Sequence, residues 1–188
     1  MSKAFLLFWL LSTGQLFAQK FDYRVLATTK TSTMEKEMNE AAAAGFLFSG
    51  VMGGETGFGG KEIVVVMTKD AAVPPRRSYR LLATSRTGTL QKEMQQAGDE
   101  GYEYRGQTVY QSALGGHEVV AILERSAESE SKRIEYRLLA TSRTSTMQKE
   151  LQEAGDSGFK FLGVMVGRTA LGGKEVVSIL QRVSPKQP

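Results

Sequence analysis

The chain has 188 residues, 24 of them basic and 20 acidic, for a formal charge of +4. Both signs are interspersed, so the surface is mildly basic and solvated rather than a nucleic-acid footprint. Zero cysteines exclude a disulfide framework and a cysteine-linked lipid anchor, and with a single histidine they exclude a nitrogen- or sulfur-rich metal site.

Residues 1–18 have the pattern of an export signal. Lys3 supplies the positive start, Ala4 to Leu11 is an unbroken apolar core, and Ser12-Thr13-Gly14-Gln15 interrupts it ahead of Leu16-Phe17-Ala18. Cleavage is expected after Ala18, with Gly14 as the fallback, and the loss of Lys3 leaves 23 − 20 = +3. An uncleaved membrane anchor is the alternative, but the apolar run falls well short of the roughly 20 residues that span a bilayer. The expected destination is the periplasm or the medium, with no stable membrane anchor after cleavage and no nucleic-acid partner.

From residue 19 onward the chain repeats itself. Tyr23-Arg24-Val25-Leu26-Ala27-Thr28 returns as Tyr79-Arg80-Leu81-Leu82-Ala83-Thr84 and as Tyr136-Arg137-Leu138-Leu139-Ala140-Thr141. The offsets are 79 − 23 = 56 and 136 − 79 = 57, and both Gly45, Gly101, Gly158 and Glu62, Glu118, Glu175 keep them. Such repetition bears on architecture before any propensity argument begins. It divides the chain into module 1 (19–70), module 2 (78–126) and module 3 (134–183). Between them lie a linker at 71–77 containing Pro74-Pro75, a stiff extended spacer, and a polar, flexible one at 127–133. Residues 184–188 read as a frayed tail.

Each module opens with a short apolar strand that ends in Thr. The spacing then turns helical, with Met34, Met38 and Ala41 at i, i+4 and i+7, matched by Leu90, Met94, Ala97 and by Met147, Leu151, Ala154. Ser32-x-x-Glu35 and Ser145-x-x-Gln148 have the form of capping boxes, and Gly88 is a weaker cap in the second copy. The helices should stop at Gly45, Gly101 and Gly158, where glycine adopts the left-handed conformation cheaply, with Phe46, Tyr102 or Phe159 packing back beneath. A second strand alternates at its start, as in Phe159 to Val164. The third is apolar throughout: Ile63 to Met67, Val119 to Leu123, Val176 to Leu180. Such a run belongs in the middle of a sheet, which gives strand order 1-3-2 with every neighbour antiparallel. The fold class is α+β, as three tandem β-α-β-β modules, each a helix on a mainly antiparallel three-stranded sheet. A module of about 50 residues buries only roughly 60% of its unfolded surface. The modules should therefore pack on one another through second sheet faces or outer edges, a pseudo-threefold arrangement being one solution.

The Tyr-Arg-x-Leu strand, the helix ending in Glu100-Gly101-Tyr102-Glu103, and His117-Glu118-Val119-Val120-Ala121-Ile122-Leu123-Glu124-Arg125 together resemble a small bacterial family, domain of unknown function family 4177. The second copy matches best, and the three copies cover most of residues 21–183. The family usually has Trp after the helix-ending glycine, where this chain has Phe46, Tyr102 and Phe159. The resemblance implies a βαββ fold and no established activity, so it assigns no catalytic residue.

The candidates for chemistry are few. His117 occupies the place of Lys61 and Lys174 in the other copies, which reads as an exposed basic site. The run from Gly53 to Lys61 resembles a phosphate loop, but Glu62 stands where Ser or Thr is required and a strand comes next where a helix should begin. A hairpin loop is the better reading. Glu62, Glu118 and Glu175 are expected to be cross-strand partners of Arg24, Arg80 and Arg137, at roughly 0.2–1 kcal/mol each. Lys36-Glu37, Lys92-Glu93 and Lys149-Glu150 read as the solvated helix face.

The strand-to-helix loops carry the one candidate site. Lys30, Thr31 and Ser32 in module 1, Arg86, Thr87 and Thr89 in module 2, and Arg143, Thr144 and Ser145 in module 3 set a cation and hydroxyls beside a helix N-terminus. Free N–H groups and the helix dipole favour an anion there. The plain alternative is capping by Ser and Thr beside an exposed basic residue. Tyr110, which has no aromatic counterpart, is the one hint of a sugar-binding surface.

No copy carries an asymmetric set of base, nucleophile and oxyanion donor. The sequence therefore reads as an exported, non-enzymatic repeat protein with a binding or scaffolding surface. The alternative is an envelope or extracellular enzyme whose site is assembled between modules. Neither a cofactor nor a metal is implied, and the partner classes are an anionic small molecule or an envelope protein.

Overall fold

The computed structural model describes residues 20–55, 57, 60–69, 77–111, 117–126, 132–168 and 173–185. Residues 1–19, where an export signal is expected, Pro74-Pro75, most of the second linker and the last three residues lie outside the described residues, as do the side chains of Tyr110 and His117.

Module 1 comprises β1 (Asp22–Thr28), α1 (Thr31–Ala43), β2 (Leu47–Glu55) and β3 (Lys61–Lys69). Module 2 comprises β4 (Arg77–Thr84), α2 (Thr87–Asp99), β5 (Glu103–Gln111) and β6 (His117–Ser126). Module 3 comprises β7 (Lys132–Thr141), α3 (Thr144–Asp156), β8 (Lys160–Arg168) and β9 (Lys174–Pro185). Each forms a separate antiparallel sheet, in the orders β1-β3-β2, β4-β6-β5 and β7-β9-β8. The apolar third strand takes the central place because its consecutive side chains are buried on both faces: Ile63 and Val64, Val120 and Ala121, or Ser178 and Ile179 point to opposite sides and are all buried. β2 and β3, which flank the glycine-rich run, pair antiparallel up to Glu55 opposite Lys61.

Three local features differ from the sequence reading. Lys132 and Arg133, assigned to a linker, pair with Pro185 and Ser184, assigned to a tail, so each stretch extends the other's strand. The second strands lose their alternation at the same point in every copy, where the register slips between Phe48 and Gly50, Tyr104 and Gly106, Phe161 and Gly163. One extra residue sits there as a bulge and switches the face of everything after it.

The capping boxes are not formed. The N-cap residues are Lys30, Arg86 and Arg143, without side-chain caps, which makes Ser32, Gly88 and Ser145 internal to the first turn. The reason lies one turn earlier: the hydroxyls of Thr28, Thr84 and Thr141 accept from the N–H of Lys30, Arg86 and Arg143 and set the entry of the helix. The C-termini match expectation. Gly45 has φ +89°, and the Phe46 N–H reaches back to the Ala41 carbonyl at 3.0 Å, a Schellman closure repeated at Gly101 and Gly158.

The helices do more than cover their own sheets. α1 packs Met34, Met38, Ala41 and Ala42 into one core with Ile63, Val65 and Met67 of its own sheet on one side. On its other side lie Tyr79, Val120 and Ile122 of the second sheet. α2 repeats this between the second and third sheets, using Leu90, Met94 and Ala97. Each of these two helices is thus enclosed between its own sheet and the first strand of the next module, while β2 and β5 also meet directly, Gly53 lying against Val109. α3 is the last helix and buries only Ala154.

Candidate functional site

The polar residues shared by the copies meet at the seams between modules. β4 and β7 are edge strands, so every second N–H and C=O along them points away from its own sheet and needs a partner. The preceding helix supplies it. Asn39 of α1 accepts from the Tyr79 N–H and donates to its carbonyl, both at 2.9 Å, while Glu35 accepts from the Leu81 N–H at 2.8 Å. In α2, Gln95 accepts from the Tyr136 N–H at 3.0 Å, and Gln91 donates to the Tyr136 carbonyl and accepts from the Leu138 N–H at 2.7 Å. A side-chain amide carries both a donor and an acceptor, so one residue can satisfy both edge groups.

The tyrosines that open the second and third repeats anchor these seams. Tyr79 donates to Glu124 at 2.7 Å and accepts from the Phe48 N–H of module 1 at 2.8 Å. Glu124 is itself buried and also receives Arg77 and Arg105. Burial first, and the Glu124 hydrogen bond second, push the Tyr79 phenol well above its usual range. Tyr136 donates to the Tyr102 carbonyl and is likewise raised by burial, and burial pushes Tyr104 up to about 12. All three phenols are held neutral by packing, and those of Tyr79 and Tyr136 are also hydrogen-bonded within the protein.

The expected cross-strand pairs between Arg24, Arg80, Arg137 and Glu62, Glu118, Glu175 do not form. In register Arg24 faces Met67, whereas Glu62 lies at the opposite end of β3, facing Gly54. Antiparallel pairing puts the start of one strand beside the end of the next. The arginines instead lie over the aromatic just after the helix-ending glycine: Arg24 on Phe46 at 4.5 Å, Arg80 on Tyr102 at 4.3 Å, Arg137 on Phe159 at 4.1 Å. Arg80 also makes a two-pronged pair with Glu100, at 3.0 and 2.6 Å, which raises its pKa.

The three candidate loops differ in their surroundings. Lys30, Arg86 and Arg143 are exposed, as are Ser32, Thr89, Thr144 and Ser145, while Thr31 and Thr87 are half-buried. Thr31 and Ser32 line an open groove of about 340 Å³ between α1 and β4, together with Glu35 and Glu93. Two carboxylates there oppose a bound anion. At α2 the Thr87 hydroxyl donates to Glu175 of module 3 at 2.6 Å, so a carboxylate of the chain itself stands at the start of that helix.

A second cleft, of about 300 Å³, opens between modules 2 and 3, lined by Ser85, Val109, Glu118, Val119, Val166 and Lys174. It joins apolar walls to one carboxylate and one ammonium. Among the described residues no helix is long and apolar enough to cross a membrane.

Sequence reasoning missed the seam residues Glu35, Asn39, Gln91, Gln95 and Glu124. The signal was present in the repeats: Glu35, Gln91, Gln148 and Asn39, Gln95, Gln152 hold equivalent helix positions with carboxylate or amide side chains. Comparisons with protein-family models, with curated proteins and with solved structures find no match.

Proposed function

We propose that this protein is an exported, non-enzymatic repeat protein, built of three copies of a βαββ unit like that of domain of unknown function family 4177, which presents a binding or scaffolding surface. The observation that carries this reading is the use of the shared polar side chains. Glu35, Asn39, Gln91 and Gln95 bond the backbone of the next module, which makes them joints of a stack. Arg143, exposed together with Thr144 and Ser145, suits an anionic small molecule or an acidic envelope protein, whereas the loops of Lys30 and Arg86 stand beside the carboxylates described above.

Native mass spectrometry of the protein purified from its own source tests this directly. The expected result is a mass set by cleavage after Ala18 together with a reproducible adduct or co-purifying protein. Arg86→Ala combined with Arg143→Ala should weaken that association, and unchanged binding by calorimetry would remove the anionic class.

The second reading is an envelope or extracellular enzyme with a site assembled between modules, favoured by the cleft that brings Ser85, Glu118 and Lys174 together. A hydrolytic activity abolished by Glu118→Gln would establish that reading in place of the first.

A further inference from the structure

The stack ends on two unlike faces that are the two halves of its own internal seam. At one end stands β1, equivalent to β4 and β7. Tyr79 and Tyr136 are 2% and 3% exposed in their seams, but Tyr23 at the same repeat position is 66% exposed. Val25 on the same strand and Met52 on β2 are also exposed. At the other end stands α3, equivalent to α1 and α2, with Gln148 and Gln152 at the positions of Gln91 and Gln95 and both exposed. Next to α3, Phe161, Val164 and Val166 are exposed, whereas Phe48 of module 1 is covered by module 2.

Gly155 sharpens the match. Its counterpart Gly98 lies so close to β7 that an added Cβ would overlap the Ile134 carbonyl and touch the Tyr136 ring. Ala42, the third member, is also small and buried against the second sheet. A Cβ added at Gly155 would meet none of the described residues outside its own helix within 4 Å. A glycine inside a helix disfavours the helix relative to alanine, and nothing local requires it here. What the position retains is room for a further strand.

We propose that copies of this chain associate head to tail, with β1 and the outer face of the first sheet of one copy seated on α3 of another. The interface continues the α1–β4 and α2–β7 seams by one more step. Gln152 then bonds the free edge at Tyr23 as Gln95 does at Tyr136, and Gln148 accepts from the Val25 N–H as Gln91 does from Leu138. Phe21 and Tyr23 of the incoming copy cover Gly155, and the apolar surfaces of both ends leave water. Because the two faces differ, the contact is heterologous, and its repetition gives a ring or a filament. The inference rests on the fold alone and is independent of any ligand or activity.

The chain has no cysteine, which allows a clean test. Val25→Cys and Gln148→Cys are made in two separate preparations and treated with a short bis-maleimide. Covalent pairs should form in the mixture and not in either preparation alone. Equal self-coupling within one preparation would mean a face-to-face dimer and overturn the proposal. So would coupling inside a single chain carrying both cysteines at high dilution, since the ends would then close on each other. Sedimentation of the unmodified protein should show mass growing with concentration, and a chain that stays single at every soluble concentration overturns the proposal, leaving these faces to another partner. Gly155→Leu, at an exposed helix position, should keep the thermal unfolding of the single chain and abolish assembly; assembly that survives it also overturns the proposal. Gln152→Ala should weaken association about tenfold, as for the loss of two edge hydrogen bonds.

Discussion

Helices α2 and α3 are close to the same sequence, Thr87 to Asp99 reading TGTLQKEMQQAGD and Thr144 to Asp156 reading TSTMQKELQEAGD. Yet α2 buries Leu90, Met94, Ala97 and Gly98, and α3 buries Ala154 alone. The difference lies in the neighbouring layers rather than in the helices themselves. α2 lies between two sheets and α3 covers one, so the same apolar stripe is a core in one place and half a surface in the other. Burial in a repeat protein is a property of position in the stack.

That contrast predicts the largest difference between equivalent substitutions. Met94 is fully buried between two sheets, and Met94→Ala should cost about 2–5 kcal/mol, the range for a large side chain removed from a core. Leu151 is half-buried, and Leu151→Ala should cost about 1 kcal/mol or less in the single chain, because only part of its surface leaves water on folding. Denaturant unfolding at a concentration where chains are single measures both. Equal costs would mean that α3 is as enclosed as α2.

The second contrast changes sign. Gly98→Ala forces a methyl against the Ile134 carbonyl and should destabilise by about 1–3 kcal/mol, as overpacking does. Gly155→Ala meets nothing and should stabilise the single chain by about 0.4–1 kcal/mol through the lost freedom of the unfolded state. Thermal unfolding of the two variants side by side reads this as opposite shifts in Tm. If both lower Tm, α3 has a neighbour in solution.

A third contrast concerns the seam amides. Gln91→Leu leaves the Tyr136 carbonyl and the Leu138 N–H without partners and should cost about 1–2 kcal/mol. Gln148→Leu, on the exposed equivalent, should stay within about 0.5 kcal/mol. A comparable loss at both positions would show that the amide serves its own helix rather than the next strand.

The sequence carried the architecture of a module and missed the joints. Period, glycine positions and the apolar third strand led to the strand order and helix ends, because each is a local pattern repeated three times. The expected pairs between Arg24 and Glu62 and their counterparts contradicted the strand order derived from the same residues. Antiparallel strands in the order 1-3-2 place those residues at opposite ends, so a register count alone would have excluded them. Arg24 went instead to Phe46, an aromatic already noted for packing. The capping boxes failed for another reason: Thr28, two residues before the N-cap, competes for the same turn, and spacing alone does not rank two hydroxyls. The seam lay furthest from view. Glu35 and Asn39 look like solvated helix residues until the next module's edge strand is known to lie against them, and no periodicity within one repeat reports a neighbour. For the candidate loops, residue types and helix starts were legible. The partner of Thr87, Glu175, comes from 88 residues away and was not.

The smallest effect vanishes at neutral pH. Tyr79, Tyr104 and Tyr136 resist ionisation because burial penalises the phenolate, and their folded pKa values lie above the value near 10 of an unfolded tyrosine. A raised folded pKa means that the folded state holds its proton longer than the unfolded one. The stability linked to these groups is therefore complete below about pH 10 and declines as pH rises through the folded values, from the unfolded chain's greater ease of ionising. For Tyr104 the window runs from about 10 to about 12. Denaturant midpoints measured from pH 8 upward should be flat and then fall, and Tyr104→Phe should reduce the slope while leaving the neutral-pH midpoint nearly unchanged. Its hydroxyl packs against Gly163 in the seam between modules 2 and 3. An alkaline slope untouched by Tyr104→Phe would mean that this seam opens before its tyrosine ionises, and that modules 2 and 3 separate ahead of global unfolding.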